Sequence, residues 1–276
     1  MDRQGFIDYN IRLSPENSGK ANSYAQAINI LDKVLPYQKV INLNGLSLYD
    51  IHDISVLEKV LDLVKEEVRK MKMGLPNIFD YGQPNQKSYP LGGFCSAALT
   101  SLMDYAQFDG AEMIVAKTTD PHNISTRLIK YFDIAKEGED VASETKRRRG
   151  QDYFRRMILA NYGGRCALTG IDIPQLLLAS HIIPWKDKSH TKERLNPCNG
   201  ICLSALYDKA FDKGLITFSP DDYTVCLSSA LQENGTKEYY NQHFGCIMGR
   251  KITLPTEYLP NREFLAYHRD HVFVGF

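Results

Sequence analysis

The run LLLASHIIPWKDK, residues 176–188, carries an apolar, β-prone segment into His181, which is followed by a Pro-Trp step and two lysines. A lone histidine in such a run is normally a satisfied core residue. The next thirty residues change that reading. Asn199 lies in an Asn-Pro-Cys-Asn-Gly loop, and Asp208 and Asp212 lie in a helix-periodic segment that stops at Gly214. A spacing of four puts both carboxylates on one face of a helix, where they can point at a single cation. Hard oxygen donors of this kind suit Mg²⁺ or Mn²⁺ rather than zinc. A histidine beside such a cation can take a proton from water near neutral pH, while the metal neutralises charge on a phosphoryl oxygen and on the leaving oxygen. His181, Asn199, Asp208 and Asp212 therefore read as a one-metal phosphodiesterase site.

The local pattern predicts how these residues are carried. QDYFRRMILANYG (151–163) reads as a helix stopped by Gly163-Gly164. CALTGIDI (166–173) and LLLASHII (176–183) read as two short strands separated by a turn at Pro174. NPCNGICLSALYDKAFDKGLITFS (196–219) reads as a loop that becomes a helix from about Ser204. The expected order is strand, strand, loop, helix.

The chain has 276 residues and a net charge of zero, but its charges are unevenly placed. Residues 1–140 carry 15 basic against 19 acidic residues, and 141–276 carry 18 against 14. The excess is concentrated in KRRRGQDYFRR (146–156), a phosphate-binding footprint in which Arg147, Arg148, Arg149, Arg155 and Arg156, together with Lys186, are the expected DNA contacts. The six cysteines form no CxxC pair, so reduced thiols and a cytoplasmic setting are expected, with no structural zinc at Cys198 and Cys202. No apolar run is long enough to span a bilayer, and the N-terminus does not read as a secretory signal.

Residues 1–75 read as helical, with Tyr24, Ile28, Leu31 and Leu35 on one apolar face and Val56, Leu57, Val60, Leu61 and Val64 on another. Pro and Gly mark a loop region at 74–93, a third helix covers FCSAALTSLMDYAQF (94–108), and AEMIVA (111–116) reads as a separate short segment. A linker is expected at about 136–148, dividing an N-terminal domain (1–140) from a C-terminal one (141–276). Trp185 is expected to pack the core, His190 to be a solvated loop residue, and His268 to pack against the domain or meet a phosphate.

Residues 165–217 resemble an HNH endonuclease domain. The closest likeness is to the branch found in predicted bacterial restriction endonucleases, marked by C-x-[LV]-TG, ASHI-x-PW, NP-x-NG-x-x-L and FD-x-G. The ending GRKITLPTEYLPNREFLAYHRDHVF resembles the I-x-LP … L-x-x-HR-x-x-VF tail of that branch, so the resemblance covers roughly 150–274. It implies an α+β chain, with a C-terminal ββα-metal nuclease domain (core about 165–217) and a mainly helical N-terminal domain for DNA recognition or dimerisation. It implies His181 as general base, Asn199 as the brace of its loop, and Asp208 and Asp212 as ligands of one Mg²⁺ or Mn²⁺. Ser180 stands where the family often has an Asp or His ligand. The implied activity is type II-like restriction of double-stranded DNA, leaving 5′-phosphate and 3′-hydroxyl ends, with a homodimer to cut both strands. The alternatives are a modification-dependent, nicking or ligand-gated nuclease and a non-catalytic DNA-binding module.

Overall fold

The computed structural model describes residues 1–14, 18–83, 86–134, 141–234 and 236–275. The chain is α+β and packs as two compact units, Met1–Glu112 and Met113–Phe276. The first unit is helical: α1 (Arg3–Arg12), α2 (Lys20–Val34), α3 (Ile54–Lys72), α4 (Ser88–Leu91) and most of α5 (Phe94–Ala116). Asp53 caps α3 by accepting from the Ser55 amide, and Leu57, Val60 and Val64 then recur at helical spacing. They bury against Ile28, Leu31 and Leu35 of the α2 segment and against Leu99 and Leu102 of α5. Val56, Leu61 and Tyr24 pack at the edge of this core, half-buried. AEMIVA is not a separate segment but the last turns of α5. No helix among the described residues is long and apolar enough to cross a membrane.

The second unit begins with α6 (Pro121–Tyr131), a helix that the sequence reading missed, and α7 (Val141–Asn161). The expected linker at 136–148 is helical from Val141 onward, and its first residues lie outside the described ones. The division between compact units falls inside α5 instead of at 140/141.

After α7 come β1 (Leu177–His181), β2 (Gly200–Ser204) and α8 (Ala205–Asp212). The strands are antiparallel, pairing Leu177 with Ser204 and His181 with Gly200. The strand expected at 166–173 is not one. The Cys166 amide bonds to the Ile171 carbonyl, closing a tight turn with Gly170 at φ +76°. This turn is tied to β2 by Ala167 N–H to Cys202 O at 2.8 Å. The partner of β1 is instead GICLS, expected as loop. All five of its residues are buried, as befits a strand covered on both faces. A short hairpin, β3 (Ile216–Phe218) with β4 (Val225–Leu227), follows. The unit ends with α9 (Ala230–Asn234), α10 (Lys237–His243) and α11 (Arg262–His271), the last of which packs on β3 through His268 and Thr217.

Candidate active site

Antiparallel pairing places His181 opposite Gly200, and that glycine is required by a close approach. A Cβ there would sit 2.5 Å from Ile158 Cδ1 and 2.8 Å from Phe154 Cζ, both on α7. The space so opened admits the Phe154 ring, which stacks face-on against His181, with centroids 4.0 Å apart and planes 16° apart. Trp185 closes the ring edge-on at 5.5 Å. Nε2 of His181 lies 2.9 Å from the backbone carbonyl of Arg194. A carbonyl oxygen only accepts, so Nε2 carries the proton and Nδ1 holds the lone pair. Burial between these rings pushes the imidazole down to about 4, only partly offset by the Arg194 carbonyl, so it is neutral at pH 7.

Side chains alternate along β1, and Ser180 turns to α8, where its hydroxyl donates to Asp208 Oδ1 at 2.7 Å. Tyr207, Ala210 and Phe211 bury the inner face of α8. Asp208 and Asp212 share the other side, one turn apart, and both line a cleft of about 840 Å³ together with Ser180, His181, Lys186 and Lys209. Loss of water against the cleft wall, and then the Asp208 charge, raise Asp212 above the usual carboxylate range, with Lys209, Lys186 and Lys213 pulling the other way. Two carboxylates that repel each other one helical turn apart, beside an open cleft, are a fit donor pair for a hard cation. Among the described residues no group of three or more His, Cys, Asp or Glu side chains could hold a metal ion, so protein ligation would rest on the pair.

Asn199 lies 1 % exposed and bonds with backbone, not with His181. Its Oδ1 accepts from Ile183 N–H at 2.8 Å, and its Nδ2 donates to Glu193 O at 3.0 Å. It ties both ends of the 182–199 connection together just past the histidine.

The basic residues separate into different roles. Lys186 is exposed on the cleft. Arg155, expected on DNA, instead donates to the carbonyls of Leu177 and Pro174 and holds the entry to β1. Arg148 pairs with Glu144 along α7. Arg147, Arg149 and Arg156 are half-buried on the same helix. His190 is not solvated as expected: it is half-buried, bonds to Asp187 and lies edge-on to Tyr267. Trp185 stays half-buried at the cleft, and its carbonyl takes the Arg194 Nε–H at 2.8 Å.

Three parts of the site escaped the sequence reading. Phe154 and Arg194 were invisible because their relation to His181 is purely tertiary. The cleft wall formed by Tyr267 and His271 comes from α11, and the HR-x-x-VF tail was the available signal. Tyr267 O–H donates to Asp187 at 2.5 Å and is a main reason why that carboxyl drops to about 2.

A ββα unit thus brings a neutral histidine and two carboxylates to one cleft. Residues 166–219 match the family described as HNH endonuclease, and this supports a nuclease acting on DNA. No curated protein matches the chain.

Proposed function

We propose that the chain is a divalent-metal-dependent DNA endonuclease of restriction type, with His181 as its general base. The observation that carries this reading is the convergence of His181, Asp208 and Asp212 on one cleft, with the histidine tautomer set by a backbone carbonyl. Water placed at Nδ1 loses a proton to the imidazole as its oxygen attacks the phosphorus. The P–O3′ bond breaks and the departing 3′ oxygen takes a proton from solvent water, leaving a 5′-phosphate and a 3′-hydroxyl. The face-on Phe154 and edge-on Trp185 hold the ring against rotation during this transfer. Ser180 keeps Asp208 turned to the cleft, and Lys186 receives the phosphate backbone. A divalent ion on Asp208 and Asp212, Mg²⁺ or Mn²⁺ by the hardness of the donors, would supply charge neutralisation on the phosphoryl oxygen.

One such site cuts one strand, and a homodimer would supply the second cut. The restriction assignment draws on the likeness of 150–274 to that branch, and the helical unit 1–112 is offered as the recognition module. The test is digestion of unmodified and methylated plasmid in parallel, with Mg²⁺, Mn²⁺ or EDTA, followed by end sequencing. Fixed cut positions on unmodified DNA support restriction, and cleavage of methylated DNA alone moves the enzyme to the modification-dependent class. Silence on both, at protein concentrations where DNA is bound, would overturn the restriction reading and leave a ligand-gated nuclease or a non-catalytic DNA-binding module.

A further inference from the structure

The carbonyl that fixes His181 belongs to a loop, and a loop carbonyl is only as well placed as the backbone around it. Residues 191–196 form one irregular turn, with Arg194 near its end. Ser125, on α6, is fully buried against it. Its hydroxyl donates to Lys192 O at 2.7 Å and accepts from Leu195 N–H at 3.2 Å, so one side chain grips the backbone on both sides of Arg194. A second tie joins the same elements: His122 Nδ1 lies 2.6 Å from Glu193 Oε1, while the other oxygen of that carboxylate accepts from Asn196 at 2.6 Å. From the opposite side the Arg194 guanidinium reaches Trp185, with Nε–H on its carbonyl and the cation 5.4 Å from its ring centroid. Arg194 is thus held by α6 through its backbone and by the post-β1 loop through its side chain. Its carbonyl then faces Nε2 of His181.

We infer that Ser125 and Arg194 are positioning residues that lock His181 in its Nε2–H tautomer, so that Nδ1 is the nitrogen offered to water. The inference rests on the proposed role of His181 as base. Arg194 lies inside the matched segment, between the ASHI-x-PW and NP-x-NG-x-x-L motifs, and Ser125 precedes the family match altogether. The other neutral tautomer puts a lone pair against the Arg194 carbonyl and a proton where the base is needed. A loosened loop therefore lowers the fraction of competent enzyme without touching DNA.

The experiment uses the full chain with Ser125→Ala, Ser125→Thr and Arg194→Lys. Long-range proton–nitrogen spectra of ring-labelled histidine report which nitrogen of His181 is protonated, alongside kcat, KM and duplex DNA binding. Wild type is expected to show Nε2–H alone. Ser125→Ala is expected to show a mixture of tautomers and to lose about tenfold in kcat at unchanged KM and DNA affinity. Ser125→Thr, which keeps the hydroxyl, is expected to recover both signals. Arg194→Lys retains the carbonyl and loses the Nε donor, so it is expected to shift the tautomer in the same direction and serves if Ser125→Ala does not fold. A single Nε2–H tautomer in Ser125→Ala or Arg194→Lys, with or without lost activity, would overturn the inference. A wild type that shows the locked tautomer and its loss in the variants, yet never cleaves DNA, leaves the lock standing and removes the nuclease reading.

Discussion

The end of β1 and the junction of α11 with β3 each hold a histidine stacked and hydrogen-bonded in nearly the same way. His181 stacks on Phe154 with Nε2 on the Arg194 carbonyl, and His268 stacks on Phe211 at 3.8 Å with Nε2 on the Phe211 carbonyl at 3.2 Å. Burial pushes both down to about 4. They part at Nδ1. In His268 that atom faces the Thr217 hydroxyl at 2.9 Å, and the residue is 1 % exposed. In His181 it has no hydrogen-bond partner among the described residues, and the ring stays partly open to the cleft beside Asp208 and Asp212. A depressed imidazole is therefore no mark of chemistry by itself. The second nitrogen of His268 is satisfied, whereas that of His181 keeps an unused lone pair, which is what the proposed base requires.

The largest expected effect separates the two directly. His181→Ala should lower DNA cleavage by about 10³-fold or more while binding persists, because general-base catalysis of this kind contributes ~10²–10⁴. His268→Gln should leave kcat within about threefold once the protein is compared well below its melting temperature, since it disturbs only the stack on Phe211 and the bonds to Thr217 and the Phe211 carbonyl. Single-turnover cleavage of labelled duplex measures both, and a reversal of the order would break the comparison. Next in size, Asp208→Asn should cost about 10²-fold in metal-dependent cleavage, as a charged ligand becomes a neutral one. Ser180→Ala should cost less, because the serine only turns that carboxylate. Titration with Mn²⁺ should show weaker metal dependence for Asp208→Asn than for Ser180→Ala.

What the sequence disclosed follows the range of the forces involved. Helical periodicity and caps are local, so α2, α3, the later part of α7 and α8 were legible within a few residues. The residue types His181, Asn199, Asp208 and Asp212 were legible as a set because their order and spacing are themselves local. The choice of partner for β1 was not. CALTGIDI has the apolar content of a strand, but Thr169-Gly170 turns it back on itself, and GICLS wins the pairing through burial against Phe154 and Ile158. The same limit hid Arg194, whose carbonyl reaches His181 across thirteen residues, and Ser125, which reaches the loop across about seventy. It also hid the structural task of Arg155, because basic residues look alike until a backbone carbonyl is found beneath one of them.

His268 has a folded value of about 4 against an ordinary 6.5, so the unfolded chain binds more protons between these values. Stability therefore holds above pH 6.5 and falls as pH drops toward 4, by roughly 3 kcal/mol for this group alone. His181 contributes with the same sign over the same window. Denaturant melts of His268→Gln at pH 7 and pH 4.5 should show lower stability at pH 7 but about half the wild-type loss on acidification, the rest being carried by His181. A double variant lacking both histidines should be flatter still. An unchanged acid slope in His268→Gln would place the proton linkage elsewhere.

The smallest effect concerns charge near the two histidines. Lys186 is exposed on the cleft five residues past His181, whereas Arg269, next to His268, is paired with Asp270 at 2.8 Å. If the His181 side alone receives DNA, Lys186→Ala should weaken binding a few-fold at low salt, for all sequences alike. It should also reduce the slope of log K against log salt by about one, the signature of one lost phosphate contact. Arg269→Ala should leave that slope unchanged, because an arginine neutralised by its neighbour displaces few counterions from DNA. Equal slopes for the two variants would mean that DNA wraps past the cleft onto the outer face of α11. The division between a reacting face and a structural one would then hold for the histidines but not for the charges around them.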